Sequence, residues 1–255
     1  MDNQEFLMVI SNSFKKFLRD NRQGKDASRN GGNDSKLSVL HAAIAKDILS
    51  RLNTDDSRQY SVMSLGVGNG QEAKVNGRYI DKKVDITILK NGHPIAGIAV
   101  KFVMQNYAQN SNNYFENMLG ETANIRCANI PYFQIFIIPD KMPYYTKKTT
   151  KLYKAGDISK WEKFTEHNSV KYLKLSQDNT DTFIHTPDKT LLFVIHLPDI
   201  EQDVTNKKEY VEYYSDLSEI AVSESQGQYG NFSPAVIYND YENFAKKVAY
   251  RILSI

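Results

Sequence analysis

The 255-residue chain predicts an α/β protein with a mixed central sheet and flanking helices. Three observations predict it. Tyr132 to Ile138 and Leu191 to Leu197 are unbroken apolar runs, as in strands covered on both faces. Three segments repeat apolar residues at helical spacing. Between them, Lys82 to Phe102 holds two apolar strands around Asn91-Gly92, a hairpin signal because both residues tolerate positive φ.

The elements follow in order. Glu5 to Asp20 places Phe6, Leu7, Ile10, Phe14, Phe17 and Leu18 at helical spacing. Asn21 to Lys36 is polar, Gly-rich and free of apolar residues, and reads as a flexible loop. A second helix, Leu37 to Leu52, carries Leu37, Leu40, Ile44, Ile48 and Leu52 on one side, with Ser35 or Ser38 as its cap. Tyr60 to Val67 is a strand, punctuated by Gly66, Gly68 and Gly70; no helix follows, so these glycines do not make a dinucleotide loop. After the hairpin come a helix from Asn113 to Arg126 and the strand ended by Pro139. The strand 191–197 and a closing helix from Tyr238 to Leu253 complete the chain. The core order is helix, strand, strand, strand, helix, strand.

Composition excludes several classes. No apolar run approaches the roughly 20 residues of a membrane span. The N-terminal stretch lacks a basic start and an uninterrupted apolar core, so a signal peptide is not expected. The single Cys127 excludes an intramolecular disulfide and a multi-thiolate zinc site. These features favour the cytoplasm. Net charge is only +2, but its distribution is uneven. Ile138 to Leu175 holds nine lysines against four acids, interleaved with tyrosines and Trp161; Asp199 to Glu224 holds eight acids against two lysines. A basic, aromatic segment suits phosphate contact, and equally a solvated surface.

The chemistry concentrates between Lys82 and Glu121. Asp85 and Lys101 are charges inside apolar strands, which require a partner or a function. Val84, Ile86 and Ile88 share one face, with Asp85 and Thr87 opposite; Ile98, Val100 and Phe102 share one face, with Ala99 and Lys101 opposite. Matching the apolar faces pairs Asp85 with Ala99 and Lys83 with Lys101, which calls for a longer or bulged turn at Asn91-Gly92-His93 rather than a two-residue one. The bland reading of Asp85 and Lys101 is a cross-strand ion pair. The five histidines, 41, 93, 167, 185 and 196, show no metal-ligand spacing and read as structural or surface residues.

This arrangement resembles the core of the PD-(D/E)xK nuclease superfamily, the fold of most type II restriction endonucleases, over roughly residues 37 to 138. The resemblance implies a restriction-endonuclease-like αβββαβ core in a single domain 1–255, completed by strand 191–197. Segments 139–190 and 199–255 are then insertion and C-terminal elements for DNA contact or dimerisation. Asp85 matches the first acid and Lys101 the lysine. Ala99 stands where a second acid is expected, and Glu116 in the following helix is the replacement, with Glu121 or Glu72 as alternatives. Glu116 also fits a capping box with Asn113. Asp47 is an outer metal contact or a surface acid.

The implied activity is Mg²⁺-dependent cleavage of double-stranded DNA by a homodimer. Asp85, Glu116 and the Val100 carbonyl hold metal, and Lys101 assists the water. Gln105, Asn106, Tyr107, Asn110, Asn112 and Asn113 read as a DNA-facing loop, since Asn and Gln match adenine edges; the plainer reading is a turn-rich segment before a helix. Lys147, Lys148 and Lys151 are expected on the phosphate backbone. A catalytically inactive DNA-binding protein, a repair-type nuclease, and an interaction domain using the acidic 199–224 segment are the rival readings.

Overall fold

The computed structural model describes residues 1–22, 37–53, 59–68 and 70–255. The polar stretch expected to be a loop lies mostly outside them, as does the candidate cap Ser35. Two helices, α1 (Asn3–Arg22) and α2 (Ser38–Leu52), precede β1 (Tyr60–Ser64). Ser38 is the first residue of α2 and not its cap; Leu37 holds that place and makes no side-chain cap bond. A small hairpin of β2 (Ala73–Asn76) and β3 (Asp81–Val84) follows, then β4 (Ile86–Lys90) and β5 (His93–Phe102). Helix α3 (Tyr107–Arg126) leads to β6 (Tyr132–Pro139), and a second hairpin is formed by β7 (Lys141–Tyr145) and β8 (Ile158–Lys163). The chain ends with α4 (Glu166–Ser176), β9 (Lys189–His196), α5 (Lys207–Asp216), β10 (Ser223–Glu224), β11 (Val236–Tyr238) and α6 (Tyr241–Leu253).

The central sheet runs β1-β4-β5-β6-β9-β10, with β11 also paired to β9. β1, β4 and β5 are antiparallel neighbours; β5, β6 and β9 are parallel. The sheet is therefore mixed, as the sequence predicts. α3 is the crossover that lets β5 and β6 run parallel.

Strand β6 explains its own unbroken apolar sequence. Phe133, Ile135 and Ile137 face a core built with α1, α2 and α6, while Phe136 and Ile138 face a second core with α3 and α4. Both faces are covered, so alternation has no reason to exist. Burial of each such large side chain contributes about 1.5–3 kcal/mol. In α1 the buried side chains include Phe6, Leu7, Ile10, Phe14, Phe17 and Leu18, the stripe read from the sequence. α6 buries Tyr241, Phe244, Ala245, Val248, Ala249 and Ile252 in the same way.

The hairpin of β4 and β5 reconciles two competing signals. Asn91 and Gly92 do form a two-residue turn, with φ of 51° and 81°, and Lys90 pairs with His93. The register then shifts between Ile88 and Leu89, so that Ile86 pairs with Ile98. The expected register is thus reached, but by a bulge within the strand pair rather than by a longer turn. One inserted residue moves every later side chain to the opposite face, which is what the apolar pattern required.

Two expectations fail at the start of this hairpin. Lys83 pairs with Lys74 in the separate β2–β3 hairpin, not with Lys101. Val84 packs with Val75, Ala99, Ile125 and Tyr132, away from Ile86 and Ile88. The cause is a break at Asp85, where the chain leaves the small hairpin and enters the central sheet.

Candidate functional site

Asp85 is the pivot of the site because it occupies this break. Its backbone carbonyl accepts the Ser64 hydroxyl at 2.7 Å, tying it to the end of β1. Its Oδ2 accepts the Val100 N–H at 2.7 Å. The carboxylate is thus aimed at β5, beside Ala99 and Lys101.

A cavity of about 360 Å³ opens over these residues, lined by Asp85, Val100, Lys101, Glu121, Lys82 and Tyr132 among others. Ala99 also lines it, while forming part of the apolar cluster beneath. Gly97 makes room for one wall: a Cβ there would stand 3.0 Å from the Tyr132 ring and 3.1 Å from Val84. Tyr132 is further fixed by its N–H, which donates to Asp188 at 3.1 Å. Asp188 also pairs with Arg126 of α3 and Arg251 of α6.

The electrostatics are those of charges enclosed by protein. Burial pushes the Asp85 carboxyl up to about 6, opposed by the Val100 N–H and reinforced by the negative charge of Glu121. Burial also lowers the Lys101 ammonium, while Asp85 and Glu121 act in the opposite sense. Lys101 Nζ lies 4.1 Å from the centroid of the Tyr114 ring, a cation–π contact.

Helix α3 decides which glutamate meets the cavity. The cavity meets Tyr114, Asn117, Met118 and Glu121, one stripe at helical spacing. Glu121 pairs with Lys82 and accepts the Tyr132 hydroxyl at 3.4 Å. Glu116 is exposed and does not line the cavity. Glu121, about 140° further round the helix, thus lines the cavity where Glu116 was expected.

The same helix begins earlier than its sequence suggests. It starts at Tyr107, so Asn113 and Glu116 lie inside it and form no capping box. The start is fixed from outside. Glu162 of β8 accepts the Ala108 N–H at 3.2 Å, placing a carboxylate at the helix N-terminus. Asn106 turns the chain with φ of 52°. It is buried, and its side chain bonds both the N–H and the carbonyl of Tyr145.

The expected DNA-facing loop is accordingly divided. Asn106 and Tyr107 are buried, and the Tyr107 hydroxyl meets that of Tyr172 at 3.4 Å. Asn110 donates to the Asn106 carbonyl, and Asn112 accepts from Lys171. Gln105 is half-buried; Asn112 and Asn113 are exposed. Lys147, Lys148 and Lys151 are exposed between β7 and β8. Asp47 is neither outer metal contact nor surface acid: it is buried, pairs with Arg51 and accepts the Tyr241 hydroxyl at 3.0 Å. The Ile138–Leu175 aromatics are partly core, since Tyr145 and Tyr172 are buried.

A second group lies on the other side of Asp85. His41 of α2, Glu72 from the segment before β2, and Asp85 each offer a ligand atom within 4.8 Å of the others. Gly66 lets β1 end against α2, since a Cβ there would meet the Ser38 carbonyl at 2.9 Å. Gly66, Gly68 and Gly70 all take positive φ, bending the chain between β1 and Glu72. From sequence His41 reads as structural or surface, because the histidine spacing gives no motif. One signal existed: it stands four residues after Leu37 and three before Ile44, on the apolar stripe of its helix.

Among the described residues, no helix is long and apolar enough to cross a membrane. In comparison with known proteins, the chain matches no family model, no curated protein and no solved structure.

Proposed function

We propose that the protein is a Mg²⁺-dependent, site-specific endonuclease of double-stranded DNA, of the type II restriction class, acting as a homodimer. The observation that carries this reading is the convergence of Asp85, Lys101 and Glu121 in one cavity. The element order α2-β1-β4-β5-α3-β6 supports it, because it corresponds to the αβββαβ core of the resembling superfamily, with β2–β3 as an insertion.

The donor set fits a hard divalent cation. Asp85 and Glu121 supply carboxylate oxygens, and the Val100 carbonyl is a further candidate ligand. Bound Mg²⁺ would neutralise phosphate charge and lower the pKa of an attacking water. Lys101 would hold that water and stabilise charge developing on the phosphate, its ammonium steadied by the Tyr114 ring. Lys82 keeps Glu121 turned toward the cavity. The exposed Lys147, Lys148 and Lys151 would meet the DNA backbone, and Gln105, Asn112 and Asn113 the bases.

Ala99 favours a second reading, a DNA-binding protein that does not cut. It sits in an apolar cluster, in the position where the resembling superfamily carries an acid. Incubation with unmethylated plasmid or phage DNA, in Mg²⁺ and in EDTA, separates the readings. Discrete Mg²⁺-dependent fragments support the restriction enzyme. A smear favours a repair-type nuclease. DNA that is bound without metal and stays intact favours the non-cleaving protein.

A further inference from the structure

We infer that His41, Glu72 and Asp85 form a binding site for a divalent transition-metal ion, distinct from the position between Asp85 and Glu121. The three residues come from α2, the segment before β2, and the break before β4, and their ligand atoms lie within 4.8 Å of one another. Ligands of one ion at roughly 2.1 Å stand up to about twice that distance apart, so small side-chain adjustments close the set.

The independent observation is His41 itself. It is 1% exposed, and among the described residues neither Nδ1 nor Nε2 has a hydrogen-bond partner. A buried polar atom without a partner is costly, and a histidine offers two. A purely structural histidine would be expected to bond a backbone carbonyl or a hydroxyl. The neighbours present are instead carboxylates, which together with imidazole make a cation site.

The ligand type sets the metal class. Imidazole suits zinc, copper, iron and nickel, and carboxylates suit magnesium, calcium and manganese. A mixed set of one imidazole and two carboxylates fits a transition ion better than Mg²⁺, which favours oxygen ligands. Mn²⁺, accepting both donor types, is the probe of choice. Asp85 is common to this group and to the proposed nuclease centre, but the inference does not require that DNA be cut.

The test is Mn²⁺ binding to the full chain without DNA, followed by electron paramagnetic resonance of free Mn²⁺ and by calorimetry, with Mg²⁺ as competitor. Wild type is expected to bind Mn²⁺ stoichiometrically and to retain it against excess Mg²⁺. Loss of an outer-shell partner of a metal ligand costs about 10–100-fold in affinity, so His41→Gln and Glu72→Gln should each cost at least about tenfold. Glu121→Gln should leave this binding in place. Glu72 is half-buried on a connecting segment, so its variant tests the site even if His41→Gln fails to fold. No Mn²⁺ binding by wild type, or undiminished binding by Glu72→Gln, would overturn the inference. Mn²⁺ binding that depends on His41 in a protein that leaves DNA intact would keep this site and sink the nuclease.

Discussion

The Asp85 carboxylate and the Val100 N–H form a hydrogen bond of 2.7 Å across the break that separates the small hairpin from the central sheet. That bond orients the one acid shared by both candidate metal groups. It also lets a carboxylate reside where burial disfavours its charge. Asp85→Asn should therefore fold, because an amide keeps the shape, and should lose cleavage.

Glu121 and Glu116 give the sharpest comparison. Glu121→Gln and Lys101→Ala are each expected to lower cleavage by roughly 10²-fold or more, the scale for removing a group that stabilises a transition state. Glu116→Gln should cleave as wild type does. Initial rates on a plasmid carrying the recognised site decide it; normal cutting by Glu121→Gln would remove that residue from the centre.

Stability against pH reports on the buried groups in the metal-free protein. Burial lowers His41 from 6.5 to about 4, so the folded state disfavours its proton. That contribution is full above pH 6.5 and is lost as pH falls toward 4, by on the order of 3 kcal/mol. Asp85 acts oppositely: raised from 3.8 to about 6, it removes stability as pH rises through that window. In EDTA, His41→Gln should lose stability with rising pH between 4 and 6, and Asp85→Asn with falling pH between 6.5 and 4. Melting temperature across pH 4 to 7 measures both.

Asn124 clamps the β2–β3 hairpin onto α3. Its Oδ1 accepts the N–H groups of Tyr79 and Ile80, and its Nδ2 donates to the Ile80 carbonyl. Tyr79 and Ile80 are exposed residues, so Asn124→Ala should cost only about 1–2 kcal/mol in a denaturant titration. Cleavage should fall as well, because the same hairpin carries Lys82 and so holds Glu121. A wild-type rate in a loosened hairpin would show that Lys82 does not position Glu121.

The asparagines at the start of α3 should separate by role. Asn106→Ala removes two buried hydrogen bonds and leaves alanine at φ of 52°, so a loss of about 2–4 kcal/mol is expected. Asn112→Ala and Asn113→Ala should weaken DNA binding with stability unchanged. Denaturation and gel-shift titrations of the three variants are the check.

Replacing Lys147, Lys148 and Lys151 together by alanine should flatten the salt dependence of DNA binding. Each lost phosphate contact lowers the slope of log affinity against log salt by about 0.9, hence roughly 3 for the set. An unchanged slope would leave these lysines as solvated surface.

The sequence by itself determined the elements whose signal is local. The apolar stripes of α1 and α6, the two-sided strand β6 and the register of β4 against β5 follow from which residues can face a core. Asp85 and Lys101 were legible for the same reason, since a charge in an apolar strand breaks a local rule. Tertiary structure alone decided the rest. α3 begins at Tyr107, where Glu162, far away in the chain, accepts the Ala108 N–H, and that start turned a supposed loop into helix. Glu121 rather than Glu116 reaches the cavity because β5 and β6 fix which stripe of α3 packs inward. His41, Glu72 and Asp85 meet only because glycine turns end β1 against α2, a proximity that no spacing along the chain encodes.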